Sequence, residues 1–229
     1  EAYPKPASQR ELAYLVRHRA TLIRDRTRCC NRIHNQLQHR GLQMAREKLL
    51  RKEGRHWLQE EAWRQLSSEQ QQTVQTQLGF IDAISPRIHE LDGRIKKEAQ
   101  KHPAACLLQT IPGIGPYRSL LLVAEVTPIS RFPSPDHLVS YSGLAPTTRQ
   151  SGTGNPRHGQ IPRGANRWVR GELVSAIPTH LQATPDSRLS EYYQRQKERL
   201  GWATARVATA RKLCRAIHAM LSTGEAWRG

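Results

Sequence analysis

From Ser8 to Arg40 the chain contains neither proline nor glycine, and Val16, Ile23, Cys30 and Leu37 recur every seven residues, with Leu15, Leu22 and Cys29 one place earlier. A seven-residue apolar period marks a helix that lies along another helix. At 1.5 Å per residue this stretch reaches about 50 Å, longer than one compact core needs. The pattern therefore predicts a coiled-coil arm, ended by Gly41.

A partner helix is expected after Ser67 and Ser68, either of which can cap it because Gln70 and Gln71 stand at capping-box spacing. Its seam is Ile81, Ile84, Ile88, Leu91 and Ile95, in steps of three and four. Pro86 removes a backbone donor inside that seam and predicts a kink or a break. An antiparallel helical hairpin is the simplest arrangement, with Trp57 and Trp63 packing its tip and Leu42 to Leu66 of mixed pattern.

After His102 and Pro103 the charged helical pattern gives way to short elements punctuated by glycine and proline, which puts a domain boundary near residue 103. Residues 1–102 are the arm and 103–229 a second domain. That domain begins with Leu107 to Pro116, including Pro112-Gly113-Ile114-Gly115, followed by the apolar run Leu120 to Val126. Two short helices joined by a glycine turn fit this best. Val169, Leu173 and Ile177 predict a helix starting near Arg163 and ended or bent by Pro178. A last helix, about Ala203 to Leu221, carries Ala203, Val207, Ala210, Cys214, Ile217 and Leu221 on one stripe. A short strand or two is allowed near Tyr141 to Thr148. The expected class is mainly α.

Composition bounds the function. In 229 residues, 37% hydrophobic content fills a core, and 36 Lys plus Arg against 19 Asp plus Glu leave a net charge of +17. Such an excess draws the chain to polyanions. No apolar run approaches the ~18 residues that span a bilayer, and Glu1 to Pro6 lack the order of a secretion signal. No membrane partner is expected, and the location is expected to be cytoplasmic. Cys29, Cys30, Cys106 and Cys214 match neither a disulfide framework nor a zinc site, and none of the ten histidines has metal-binding spacing, so no metal site is expected in this chain.

Charge is unevenly placed. Residues 137–171 hold no Asp or Glu yet carry Arg149, Arg157, Arg163, Arg167 and Arg170. Two constellations stand out. The glycines of the Pro112 to Gly115 turn allow backbone N–H groups of Gly113, Ile114 and Gly115 to meet a phosphate, in the manner of a helix-hairpin-helix, or serve only for turning. The segment Gly143 to Gly154 places Ser151 in a glycine-rich, acid-free loop. A hydroxyl attacks a phosphodiester only where the growing charge on phosphorus is neutralised, which guanidinium groups such as Arg149, Arg163 and Arg167 can do. Arg157 and Arg170 add further phosphate contacts. Spacing alone does not distinguish this from a turn in a basic binding loop, and Ser140 and Ser142 are alternative hydroxyls without the flanking glycines.

The order Leu108-x-Thr110-Ile111-Pro112-Gly113-Ile114-Gly115, Arg131-Phe132, Tyr141 to Pro146, Ser151-Gly152, Gly159-Gln160-Ile161, Gly164 to Arg170 and Ala210 to Leu213 resembles the insertion-sequence transposases of the IS one-ten and IS eleven-eleven type. The resemblance covers nearly the whole chain and rests on several motifs in order. It implies a DNA transposase or recombinase in which Ser151 attacks DNA to form a phosphoserine. It further implies a guide (bridge) RNA that pairs with donor and target DNA, and homo-oligomers built through the coiled coil. In that family a resolvase-like domain with four acidic residues binds Mg, and nothing here matches it. The chain is therefore expected to be a C-terminal fragment, inactive alone, with magnesium belonging to the domain it lacks. Two other readings remain: a non-catalytic helix-hairpin-helix nucleic-acid-binding module, and a coiled-coil oligomerisation or RNA-chaperone protein.

Overall fold

The computed structural model describes residues 3–145, 147–149, 157–159 and 164–229, the two three-residue stretches by their backbone pairing. They pack as two units, one of residues 1–16 and 95–229 and the other of residues 17–94. The composition change near residue 103 lies inside the first of these.

The unit of residues 17–94 is organised by two long helices, α1 (Ala7–Gln38) and α3 (Ser68–Lys101). Three cross-links fix their sense. Arg19 reaches Asp92 at 2.8 Å, Arg32 reaches Gln77 at 3.3 Å, and Arg40 reaches Gln70 at 2.7 Å. Numbers rise along one helix as they fall along the other, so the pair is antiparallel. Cys29, Cys30, Ile33 and Leu37 of α1 bury against Val74, Leu78 and Ile81 of α3.

Helix ends follow local chemistry. Gly41 takes φ 71°, and the Leu42 N–H returns to the Leu37 carbonyl at 3.0 Å, a left-handed stop that glycine adopts without Cβ strain. Of the two candidate caps, Ser67 does the work: its hydroxyl accepts from the Gln70 N–H at 3.4 Å while Gln70 Oε1 accepts from the Ser67 N–H at 3.1 Å. Pro86 does not break α3, which runs through it. The proline is exposed, so its ring meets solvent and the carbonyl it frees can be hydrated. Between the long helices, a 3-10 turn (Arg46–Leu50), α2 (Lys52–Trp57), a π turn (Leu58–Ala62) and a 3-10 turn (Trp63–Gln65) close the end. Trp57 and Trp63 pack on that core as the sequence suggests.

The other unit gathers α4 (Pro103–Leu108), α5 (Pro116–Val126), α6 (Pro135–Tyr141), α7 (Arg167–Ala183), α8 (Arg188–Leu200) and α9 (Trp202–Thr223). Every residue of α5 from Ser119 to Val126 is buried, which is what an all-round apolar helix at the centre of a core must do. Val16 and Ile95 join this core. A two-stranded antiparallel ladder pairs β1 (Thr147–Arg149) with β2 (Arg157–Gly159), bringing Arg149 into register with Arg157.

Three sequence expectations change here. Helix α7 begins at Arg167, not near Arg163, because the Asn166 side chain accepts from the N–H groups of Trp168 at 3.0 Å and Val169 at 3.2 Å and so starts the helix there. Pro178 neither ends α7 nor interrupts it before Ala183. In α9, Ala210, Cys214 and Ile217 are buried as expected, whereas Ala203 and Val207 are exposed. Among the described residues no helix is long and apolar enough to cross a membrane.

Candidate nucleic-acid interface

Three helices leave a space between them. Arg170, Gly171, Val174 and Ser175 of α7, Tyr192, Gln196, Arg199 and Leu200 of α8, and Thr204, Arg206, Val207, Ala208 and Arg211 of α9 line a groove of about 720 Å³. On each helix the lining residues recur at steps of three or four with their immediate neighbours, as one broad face does. Gly143, Leu144 and Ala145 complete the wall. The groove thus touches the chain at Ala145, directly before the segment 146–163 that carries Ser151, and again at Arg170, in the first turn of the helix that follows it.

Its electrostatics are one-sided. Four arginines line it and no Asp or Glu does. The Arg170 guanidinium makes no hydrogen bond or ion pair with the described residues. Arg199 donates to Gln196 Oε1 at 3.0 Å, and the Arg206 guanidinium lies 5.2 Å from the Trp202 ring centre. Arg211 stands 3.9 Å from Asp136, whose closer partner is Arg215 at 2.9 Å. Beside the groove, Lys212 Nζ sits 4.5 Å from the Tyr192 ring. Guanidinium groups at such a surface hold phosphate oxygens in pairs of hydrogen bonds.

The base of the 146–163 segment is fixed from inside the core. Asn166 N–H donates to the Tyr141 carbonyl at 2.7 Å, and Asn166 Nδ2 donates to the Tyr141 hydroxyl at 2.9 Å and to Glu125 Oε2 at 2.8 Å. Glu125 is fully buried, and Lys5 Nζ meets the same oxygen at 2.5 Å. Arg131 donates to the Glu125 carbonyl and stacks between the rings of Tyr3, Phe132 and Tyr141. A carboxylate buried this completely persists only with charged and hydrogen-bonding partners. Here those partners join the residues on either side of the segment.

The sequence-derived residues fall as follows. Ser151 and Arg163 lie outside the described residues. Arg149 and Arg157 are register partners at the two ends of the strand connection that contains Ser151. Arg167 is exposed at the start of α7, and Arg170 lines the groove one turn on. In the Pro112–Gly115 turn, Gly113 has φ 91°, and a Cβ there would lie 2.9 Å from the His180 nitrogen and 3.2 Å from the Ala176 carbonyl oxygen. The turn is pressed on α7. His180 Nδ1 donates to the Pro112 carbonyl at 2.8 Å, since a carbonyl can only accept. Ile114 is buried, while Gly115 is exposed with open space around it.

Of the two alternative hydroxyls, Ser140 is exposed, whereas Ser142 is fully buried and donates to the Leu138 carbonyl at 2.7 Å, so no substrate reaches it. Burial pushes the neighbouring Cys214 thiol up from 9.0 to about 11, against a smaller lowering by Ser142. Among the described residues no group of three His, Cys, Asp or Glu could hold a metal ion.

Sequence reasoning missed the α8 side of the groove. Its signal was present: Ser187 accepts from the Ser190 N–H at 3.2 Å as a cap, and Tyr192, Gln196 and Arg199 then follow at steps of four and three.

Residues 105–194 match the family described as Transposase IS116/IS110/IS902 family. The chain is 33% identical over 169 residues to the insertion element IS110 uncharacterized 43.6 kDa protein of Streptomyces coelicolor, an overlap of 68% of this chain and 41% of that protein. It is 27% identical over 234 residues to the transposase for insertion sequence element IS1111A of Coxiella burnetii, covering 98% of this chain and 62% of that one. A pilin gene-inverting protein of Moraxella bovis is 34% identical over 94 residues, 41% of this chain and 29% of its own length. The chain thus spans between about a third and three-fifths of these relatives.

Proposed function

Through residues 105–194 this chain belongs to the IS116/IS110/IS902 transposase family, and from that premise we propose that it is the serine-bearing part of a DNA transposase, with Ser151 as nucleophile. The observation that carries this reading is the carboxylate-free, arginine-lined groove bordered by the residues on both sides of the Ser151 segment.

The step is a transesterification. The Ser151 Oγ–P bond forms as the bond from phosphorus to one deoxyribose oxygen breaks. The serine proton ends on the leaving oxygen, so no water or nucleoside triphosphate is consumed. The phosphoserine keeps the energy of the broken linkage and can pass the strand to a new end. Arg149, Arg163 and Arg167 are assigned to the charge that grows on phosphorus, and Arg157 and Arg170 to flanking phosphates. The exposed Gly115 at the start of α5 offers its backbone N–H to a strand; Gly113 and Ile114, expected to do the same, do not, since Gly113 is pressed on α7 and the Ile114 N–H is taken by the Ile111 carbonyl at 3.0 Å.

Donor and target DNA are the substrates. A guide RNA selects them by base pairing, which frees the protein from reading bases itself. The helix pair of residues 17–94 brings copies together as a coiled coil. Magnesium, which the family holds on four acidic residues of a separate domain, has no matching ligand set among the described residues, and no step here runs through it.

The test is a denaturing-gel assay on the longer protein with labelled donor and target DNA and the element's RNA. A protease-sensitive adduct that Ser151→Ala abolishes is expected. Tight, adduct-free binding by both proteins would replace this reading with a non-catalytic binding module.

A further inference from the structure

The α7–α8–α9 groove adds to its arginines an apolar surface that contact with a phosphate backbone does not require, and we propose that it receives an unstacked nucleotide of a single strand. The proposal deepens the transposase reading and rests on it only for the identity of the strand as DNA.

A space of about 720 Å³ accommodates a base with its sugar and phosphate. Leu144, Val174 and Val207 supply an apolar surface, and Gly171 leaves it open, since a Cβ there would meet nothing within 4 Å. Around this surface stand the four guanidinium groups. The complementary ligand therefore has a flat apolar body and an anionic edge. A duplex keeps its bases stacked inward and offers only the edge. A neutral apolar peptide would cover guanidinium groups without pairing them, which is costly. The chain's own segment 146–163 is a poor filler, because it carries Arg149, Arg157 and Arg163 with no Asp or Glu and would meet like charge. Bases stack on aromatic side chains irrespective of sequence, and Tyr192 lines the groove, so the site needs no base-specific hydrogen bonds.

The test uses the whole chain and a fluorescent oligothymidylate of about 12 nucleotides, a length typical of single-strand sites. Gly171→Glu puts a carboxylate into the groove at an exposed helical position with room for it. Gly93→Glu makes the same charge change on α3, also with nothing within 4 Å. Expected are a loss of about tenfold or more for Gly171→Glu, a loss under about twofold for Gly93→Glu, and at least about fivefold weaker binding of an abasic strand of equal length. Equal losses in the two variants, equal affinity for abasic and base-bearing strands, preference for duplex, or equally good competition by oligoglutamate would each overturn the proposal. Base-dependent binding without a Ser151 adduct keeps the groove assignment and removes the nucleophile; an adduct with base-independent binding does the reverse.

Discussion

The two packing units solve the problem of burial differently. Within residues 17–94 the core is a single stripe along two antiparallel helices, and Gln77 is the one buried polar residue there among the described residues. The other unit buries Gln9, Ser119, Glu125, Ser142, His180, Ser190, Thr209 and His218 as well as its apolar residues. A stripe needs only the right period. A core that encloses polar groups needs each of them partnered, so its tolerance to substitution is lower and its geometry more sharply specified. The polar-stapled unit is also the one that holds the groove.

The sharpest way to break this contrast is Glu125→Ala, which strands Lys5 and removes the anchor of Asn166. Losing one member of a buried ion pair costs about 3–5 kcal/mol, read as a lowered denaturant midpoint. If Glu125→Ala is instead as mild as a surface change, the buried network does not hold this unit together.

The glycine turn gives a matched pair. Gly113→Ala forces a side chain into a positive-φ position against the α7 backbone, with an expected cost of about 2–4 kcal/mol from strain and overpacking together. Gly115→Ala, at φ −89° in open space, should stay within about 0.5 kcal/mol. Equal effects would mean that the turn does not pack on α7.

Cys214 tests the core by titration. Its folded pKa, about 11, lies above the 9.0 of an exposed thiol, so its contribution is fully present below pH 9 and is lost as pH rises towards 11. Two units correspond to about 2–3 kcal/mol. Unfolding at pH 8 and pH 11 should show the wild type losing that much more than Cys214→Ala. Alkylation at pH 8 should modify exposed Cys106 well before Cys214.

The smallest effect belongs to the helix pair. Arg19 and Asp92 meet at 2.8 Å with side chains 21% and 42% exposed, and Asp92→Asn should cost about 0.2–1 kcal/mol and less at high salt. A loss near that of Glu125→Ala would erase the distinction between the units.

Much of the helix pair was legible because its signals are local. The seven-residue period, Gly41 and the Ser67–Gln70 box depend on residues within a turn or two of each other. The start of α7 was misplaced because Asn166 was not recognised as its cap. Val207 belonged to a regular apolar stripe yet faces the groove, since periodicity marks a face without saying what stands opposite.

The sequence by itself determined a mainly helical chain, the two long helices, the basic acid-free stretch and the family resemblance, all carried by composition and short-range spacing. Only the tertiary structure decided that Glu125 ties Tyr141 to Asn166, that the Pro112–Gly115 turn packs on α7, and that three helix faces stop short of one another to leave a cationic groove. Each depends on distances between residues far apart in the chain, which no local pattern encodes.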